Sequence, residues 1–468
     1  MSPSTGNQQT FTRKEFIKGT GAGFMLPFLP VISRSEEARI PSVERILLKG
    51  GTVLTMDNAA GDFEKADILV ENGKITEIAP HIEANTETVD ATGHVVMPGF
   101  VDTHRHMWQG CIRNILPDGL LSDYVRVVLG QARPVFRPED AAIGNLISAL
   151  GAMDAGITTV LDWSHIGSSL EHTNAAIKGL MVSGIRAVYA YGSGASTPEN
   201  KYPEDIHRLR DEYFSSDNQL LTLALGAGIN ADQWKLAREV GARISVHVNG
   251  TGDLLPLADR LGPDVTCIHC CNLLDEEWEL LAEKGTGVSI SSPVEMIMGH
   301  GIPPIQQTLD YGILPSLSVD VETTVPGDMF TQMQSVFTLQ RMQVLARERS
   351  GEENLPGLLT AREVLRFATV NGAIHNGLGH KTGTLAPGKE ADIIMLSLNR
   401  PNIMPVNNVY GTVVSGMDRT NVEMVMIGGK IKKWKGRLVH EELEEISRRA
   451  VQSREFIFET SGMVRDLF

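Results

Sequence analysis

Pro98-Gly99-Phe100-Val101-Asp102-Thr103-His104-Arg105-His106 is the stretch that decides how this chain folds. It reads as a buried strand ending in two histidines with one residue between them. Strand side chains alternate between faces, so His104 and His106 are expected to point the same way. Two imidazoles side by side at a strand end can hold one metal ion, and borderline-soft divalent metals favour such nitrogen ligands. The pattern is common in isolation. Its meaning depends on what the rest of the chain brings to the same place.

Before the stretch, from Val43 to Val96, short alternating runs are broken by turn residues. Arg45-Ile46-Leu47-Leu48 runs into Gly50-Gly51, and Thr52-Val53-Leu54-Thr55-Met56 into Asp57-Asn58. Asp67-Ile68-Leu69-Val70 meets the hairpin signal Glu71-Asn72-Gly73, and Lys74-Ile75-Thr76-Glu77-Ile78 follows. This predicts a small antiparallel β-unit. After Pro98 the rhythm changes. Apolar, β-branched runs alternate with helical patterns such as Ala141 to Asp154, Ala231 to Val240 and Asp275 to Lys284. The runs cover 100–104, 158–161, 186–190, 220–225, 244–248, 265–269, 288–291 and 317–319, which makes eight. Eight βα units predict an α/β protein built on a (β/α)8 TIM barrel over residues 98–382. From Gly383 the earlier style returns, with a turn, a buried strand to Leu396 and a hairpin around Gly428-Gly429. Neither flanking fragment has enough strands to bury a core alone. Residues 41–97 and 383–438 are therefore expected to form one small β-sandwich domain, followed by a C-terminal helix within 439–468.

Composition narrows the classes further. The chain has 468 residues and a net charge of −15, with no long basic run, which argues against nucleic acid as a partner. Its four cysteines, Cys111, Cys267, Cys270 and Cys271, are not spaced as a disulfide framework and read as packed thiols. No stretch after the N-terminus is long and apolar enough for stable membrane insertion. Residues 1–40 read as a targeting segment or a tail. Arg13-Lys14 precedes a weakly apolar run from Gly19 to Ile32 and a polar exit, and the block resembles a twin-arginine signal with lysine at the second arginine. Export to the periplasm is the expectation, with a cytoplasmic protein as the alternative.

A barrel presents reactive side chains at the C-terminal ends of its strands. Strand 1 ends in His104 and His106, strand 5 in His247, strand 6 in His269 and strand 8 in Asp320. Four histidines and a carboxylate at four strand tips predict a metal site. Three neutral imidazoles, His104, His106 and His247, leave coordination open for water, whose pKa a divalent metal lowers. Asp320 can take that water's proton while also binding the metal, and His269 is placed to hydrogen-bond the nucleophile or polarise the substrate.

The chain resembles the metal-dependent amidohydrolase superfamily on its mononuclear deaminase and chlorohydrolase side. The resemblance rests on the opening stretch, on Gly156-Ile157-Thr158-Thr159-Val160-Leu161-Asp162, and on Ile268-His269-Cys270. It also rests on Gly299-His300-Gly301-Ile302-Pro303-Pro304 and on Gly383-Thr384-Leu385-Ala386-Pro387-Gly388-Lys389-Glu390-Ala391-Asp392. It implies one catalytic zinc or iron, a hydrolytic reaction at a carbon bearing nitrogen or another leaving group, and a substrate contact near Gln109. No lysine ends the strand at 220–225, so one metal is expected rather than two.

The resemblance also sets up a departure. Such deaminases carry a glutamate three residues after the strand-5 histidine, and here the run is His247-Val248-Asn249-Gly250. Glycine cannot move a proton. Glu295, just past strand 7, and Glu322, just past Asp320, are the candidate replacement acids. Trp108 is expected at the pocket mouth, stacked on a planar ring, with Gln109, His165, Asn249, His300 and Glu322 as further substrate contacts. The expected catalytic groups are His269, Asp320 and Glu295. The expected function is metal-dependent hydrolysis of a non-peptide carbon–nitrogen bond in a planar heterocycle. Removal of a non-amine leaving group and a catalytically silent binding protein are the alternatives. A homodimer or higher homo-oligomer is the expected assembly.

Overall fold

The computed structural model describes residues 40–41, 44–440 and 442–463. The export-signal reading rests on residues 1–39 and lies outside the described residues. Five strands precede the double-histidine tip: β1 (Arg45–Val53), β2 (Phe63–Glu71), β3 (Lys74–Ala79), β4 (Glu87–Asp90) and β5 (His94–Pro98). Eight follow in the barrel: β6 (Phe100–Arg105), β7 (Ile157–Ser164), β8 (Arg186–Gly192), β9 (Leu221–Ala227), β10 (Arg243–Val248), β11 (Val265–His269), β12 (Gly287–Ile290) and β13 (Ser316–Leu317). Among the described residues, four more strands complete the sheet structure: β14 (Ile393–Ser397), β15 (Val422–Ile427), β16 (Lys430–Trp434) and β17 (Arg437–Leu438).

The flanking strands form one nine-stranded sheet in the order β17-β16-β15-β14-β5-β1-β2-β3, with β4 added on β1. The two halves meet where β14 runs antiparallel to β5, with Ile393 opposite Pro98 and Ser397 opposite His94. The expected sandwich is thus a continuous sheet around its own core, drawing Ile46, Ile68 and Val96 from one half and Ile393, Met395 and Met424 from the other. It is mixed rather than purely antiparallel, because β1 pairs in parallel with both β4 and β5. A register shift at Gly50-Gly51 splits β1 into two halves, each with its own parallel neighbour. Gly50 takes a φ of 78°, a conformation that costs glycine little.

The barrel strands lie in sequence order from β6 to β13, and their pairings are parallel. All eight residues of β7 and all seven of β8 are buried, as strands covered on both faces must be. Closure between the last strand and the first is made at the rim. Asp320 N donates to His104 O at 2.9 Å, and His106 N donates to Asp320 O at 2.9 Å. The residues expected to bind metal therefore also carry the backbone bonds that close the barrel. The regular part of β13 is only two residues long, shorter than its sequence suggests, and Asp320 itself adopts a φ of 65°.

One helix positions the segment after the histidines. Pro138–Asp154 begins with proline in its first turn, where the missing N–H is no loss. Gly144 on this helix lies under the 3-10 turn Met107–Ile112, and a Cβ there would stand 2.2 Å from Trp108 O. The C-terminal helix, Leu443–Ser461, sends Phe456 under the Arg137 guanidinium, 3.7 Å from its ring centroid. No helix of the described residues is long and apolar enough to cross a membrane.

Candidate metal centre and active site

The side chains at the tips of β6 and β10 and just past β13 converge on one point. His104 Nε2 lies 3.1 Å from Asp320 Oδ1 and 3.2 Å from His247 Nε2. His106 Nε2 lies 3.3 Å from the same carboxylate oxygen. A tetrahedral ion with ligands at about 2.0–2.1 Å separates its donors by about 3.3 Å. The spacing, with three imidazole nitrogens and a carboxylate, fits a zinc-class divalent cation. The outer contact of His106 fits too. The Trp163 carbonyl lies 2.7 Å from His106 Nδ1, which places the proton on that nitrogen and leaves Nε2 a lone pair. Burial pushes the imidazoles of His104 and His247 well below their usual range and His106 down to about 3, so all three are neutral donors near neutral pH.

The strand alternation is not strict here. The pairing of β6 with β7 shifts register between Asp102 and Arg105. Such a bulge at a barrel rim re-aims side chains. Thr103 stays below the tip, its hydroxyl 2.7 Å from Ser289 and 2.9 Å from Ser316 hydroxyls.

His269 ends β11 with a φ of 70° and brings Nε2 to 3.8 Å from Asp320 Oδ2. Its other nitrogen meets Glu295 Oε1 at 3.1 Å, and Ser291 N donates to that same oxygen at 2.8 Å. Burial alone lowers the His269 pKa, but the Glu295 hydrogen bond and the Asp320 charge outweigh it and the direction is upward. The tips open into a cavity of about 200 Å³. His106, His165, His247, His269, His300 and Asp320 form its polar side, and Leu121, Val125, Leu129, Met298 and Val321 its apolar side. Among the described residues, Asp320 is the one carboxylate in this lining.

Of the substrate contacts expected from sequence, the structure brings His165, Asn249 and His300 to the cavity wall. The His165 ring stacks on His106 with centroids 4.0 Å apart. His300 Nδ1 lies 3.3 Å from Asn249 Oδ1, while its Nε2 is buried without a partner. Burial lowers the His300 pKa to about 4.

Four expectations require correction. Trp108 is not at the pocket mouth: it is fully buried, edge-on to Phe136 at 4.8 Å, and its Nε1 donates to His165 Nδ1 at 2.8 Å. The 3-10 turn after His106 carries it away from the opening. Gln109 is also fully buried and reaches the cavity only through the Tyr124 hydroxyl, 2.5 Å away. Glu295 cannot serve as a replacement acid toward substrate, because it stands behind His269 and outside the lining. Glu322 leaves the site altogether. Its carboxylate meets Arg113 Nε at 2.9 Å and Arg105 Nη1 at 3.8 Å, and accepts from the Ser148 hydroxyl. Burial raises its pKa, but Arg113 and Arg105 prevail and hold it below the usual range, the wrong direction for an acid.

Tyr124 and Trp163 line the cavity without having been expected there. Trp163 lies within β7, in register with Ala190 of β8, packing against His247 at 4.6 Å and donating from Nε1 to Ser245 O at 3.2 Å. Its place two residues before His165, at the end of a strand, was a usable signal. Tyr124 closes the helical turn Leu121–Tyr124, which runs directly into the helical segment Val125–Ala132 and for which sequence offers no marker. The cysteines stay out of the lining, and burial raises the Cys111 thiol to about 12.

With this geometry in place, comparison with known proteins defines the class. Residues 95–432 match the amidohydrolase family, and the chain belongs to that family. It is a metal-dependent hydrolase of carbon–nitrogen bonds other than peptide bonds. It is similar to a 5'-deoxyadenosine deaminase of Methanosarcina mazei, 30% identical over 82% of this chain and 92% of that one. It is also similar to a 5-methylthioadenosine/S-adenosylhomocysteine deaminase of Thermococcus onnurineus, at 28% identity over 82% and 93%. Among solved structures it shares the fold of a zinc-bound adenosine deaminase from Xanthomonas campestris, with a TM-score of 0.77 at 21% identity, covering 88% of this chain and 98% of that one. An atrazine chlorohydrolase from Arthrobacter aurescens complexed with zinc gives 0.76 at 22%, covering 87% and 100%.

Proposed function

We propose that this hydrolase removes an amine, or opens a cyclic amide or amidine, on a planar nitrogen heterocycle of the adenine kind, with one zinc ion as cofactor and iron(II) as the alternative. The observation that carries the reading is the convergence of His104, His106, His247 and Asp320 within 3.1–3.3 Å contacts at the floor of a cavity with an apolar wall. A divalent cation held by these four side chains supplies the Lewis acidity that makes water a nucleophile near neutral pH.

The chain's own residues then divide the work. Asp320 lies within reach of His104, His106 and His269 and is the carboxylate that accepts the water's proton. As the one carboxylate of the lining, it also returns that proton to the ring nitrogen or the leaving amine. His269, its Nδ1–H held by Glu295 and its pKa raised by that bond and by Asp320, donates from Nε2 as the imidazolium to the attacked side of the ring. His300 presents an unpartnered Nε2 lone pair, which accepts from a ring N–H or an exocyclic amine. Position 250 is glycine, and Asp253, the acid of the loop after β10, accepts from the Gly250 amide at 2.9 Å and is absent from the described lining, so this loop brings no second acid to the cavity. This supports a second reading, in which the leaving group is halide-like and leaves without a proton.

The test is metal analysis of the purified chain joined to a turnover screen. Zinc-loaded protein is assayed against 5'-deoxyadenosine, methylthioadenosine, other heterocyclic amines, cyclic amides and chlorotriazines, following ammonia, ring opening or chloride. One equivalent of metal and chelator-sensitive release are expected. A chain that holds no metal after supplementation overturns the reading.

A further inference from the structure

The cavity shows which tail its substrate can carry. Away from the histidines, Leu121, Val125, Leu129, Met298 and Val321 form an apolar wall beside Tyr124, Trp163 and Asn249, and among the described residues no lysine or arginine lines it. The wall continues outward as exposed apolar surface. Leu121 N donates to Met298 O at 3.0 Å, which ties the turn Leu121–Tyr124 to the segment after β12. On either side of this bond, Leu120, Val125, Met296 and Ile297 are all exposed. Apolar side chains that are left in water at a pocket mouth and run into its lining mark a binding surface. One cation, Arg133, is felt by Tyr124 and His165 but is not part of the wall. A charged tail entering here loses its hydration without gaining a partner. An apolar tail gains burial.

We propose that the substrate is an uncharged ring bearing an apolar substituent. The substituent lies along Leu121, Val125, Leu129 and Met298 toward the Leu120–Ile297 rim, and the same wall rejects rings with an anionic or zwitterionic tail. The inference rests on the hydrolase reading above, and the experiment separates the two.

Zinc-loaded protein is given matched pairs that share a ring and differ in the tail: methylthioadenosine against S-adenosylhomocysteine, and N-propyl against N-carboxyethyl versions of any heterocycle found active. Both kcat/KM and the Kd of the corresponding hydrolysis products, by calorimetry, are measured. A preference of tenfold or more for the uncharged member is expected in both readouts. Leu129→Lys is expected to shrink or reverse that preference. Leu129→Ala, which adds no charge, is expected to weaken apolar-tail binding without favouring the charged tail. Equal handling of both tails, or a preference for the charged one that vanishes in Arg133→Met, overturns the inference and leaves the hydrolase reading standing. Selective binding of apolar products with no turnover of any ring upholds the inference and overturns the reading. Neither binding nor turnover overturns both.

Discussion

Asp320 and Glu322 are two acidic residues, two positions apart, with opposite fates. Asp320 faces the cavity at 3.1 Å and 3.3 Å from two histidines and lies open to a substrate. Glu322 faces outward into Arg105, Arg113 and Ser148. The same division runs through the strand beside them. His104 and His106 turn inward as neutral imidazoles, while Arg105 between them pairs with Asp102 at 2.8 Å. One side of the rim keeps its polar atoms available, and the other satisfies them with opposite charges. A carboxylate already held by two guanidinium groups has no proton chemistry to offer, whereas one among neutral imidazoles does.

The largest effect that should sharpen this contrast is on turnover. Asp320→Asn is expected to lower kcat by about 10²–10⁴-fold, the usual worth of a general base, with bound metal largely retained. Stopped-flow or steady-state assay beside metal analysis checks it. Normal activity in this variant would erase the distinction between the two carboxylates. Glu322→Gln is expected to do the reverse. It leaves the fully buried Arg105 underpaired and should cost about 3 kcal/mol of stability, read by urea unfolding, while metal content holds.

Glu295→Gln probes the residue behind His269. It preserves an acceptor but removes the charge, and a drop of about 10–100-fold in kcat/KM is expected. An unchanged rate and pH profile would mean that His269 needs no such support. The pH dependence of stability follows from neutral burial. His106 has a folded pKa of about 3, against an ordinary value of 6.5. The unfolded chain takes up the proton first, so this contribution is complete above about pH 6.5 and is lost as pH falls toward 3. Metal-free protein should lose about 1.4 kcal/mol per pH unit in that window from this group. Equal urea midpoints at pH 7 and pH 5 would contradict it. The smallest effect belongs to Trp108→Phe. It deletes the donor to His165 and is expected to cost about 1 kcal/mol of stability with a few-fold change in KM, checked by thermal unfolding and kinetics.

Much of the architecture was legible in the chain. Eight apolar runs between helical patterns marked the barrel, because strands buried on both faces must be apolar along their length. The strand-tip positions of His104, His106, His247, His269 and Asp320 were legible for the same reason: a barrel exposes only its strand ends to a ligand. Other features were not legible. β1 takes two parallel neighbours because of a bulge at one glycine pair, which alternation does not reveal. Trp108 and Gln109 follow the histidines in sequence but turn into the interior, because Gly144 lets the helix Pro138–Asp154 come within contact of their backbone.

The sequence by itself determined the barrel, the flanking sheet's two sources and the strand-tip positions of the candidate ligands. These depend on periodicity and on residue type at strand ends, both of which are local. Only the tertiary structure decided that Glu295 serves His269, that Glu322 belongs to the arginines, and that Leu121, Val125 and Leu129 close the cavity. Those outcomes depend on which distant groups share a space after folding. A carboxylate's role is set by its partners and its access to solvent, and neither is written in the residues next to it.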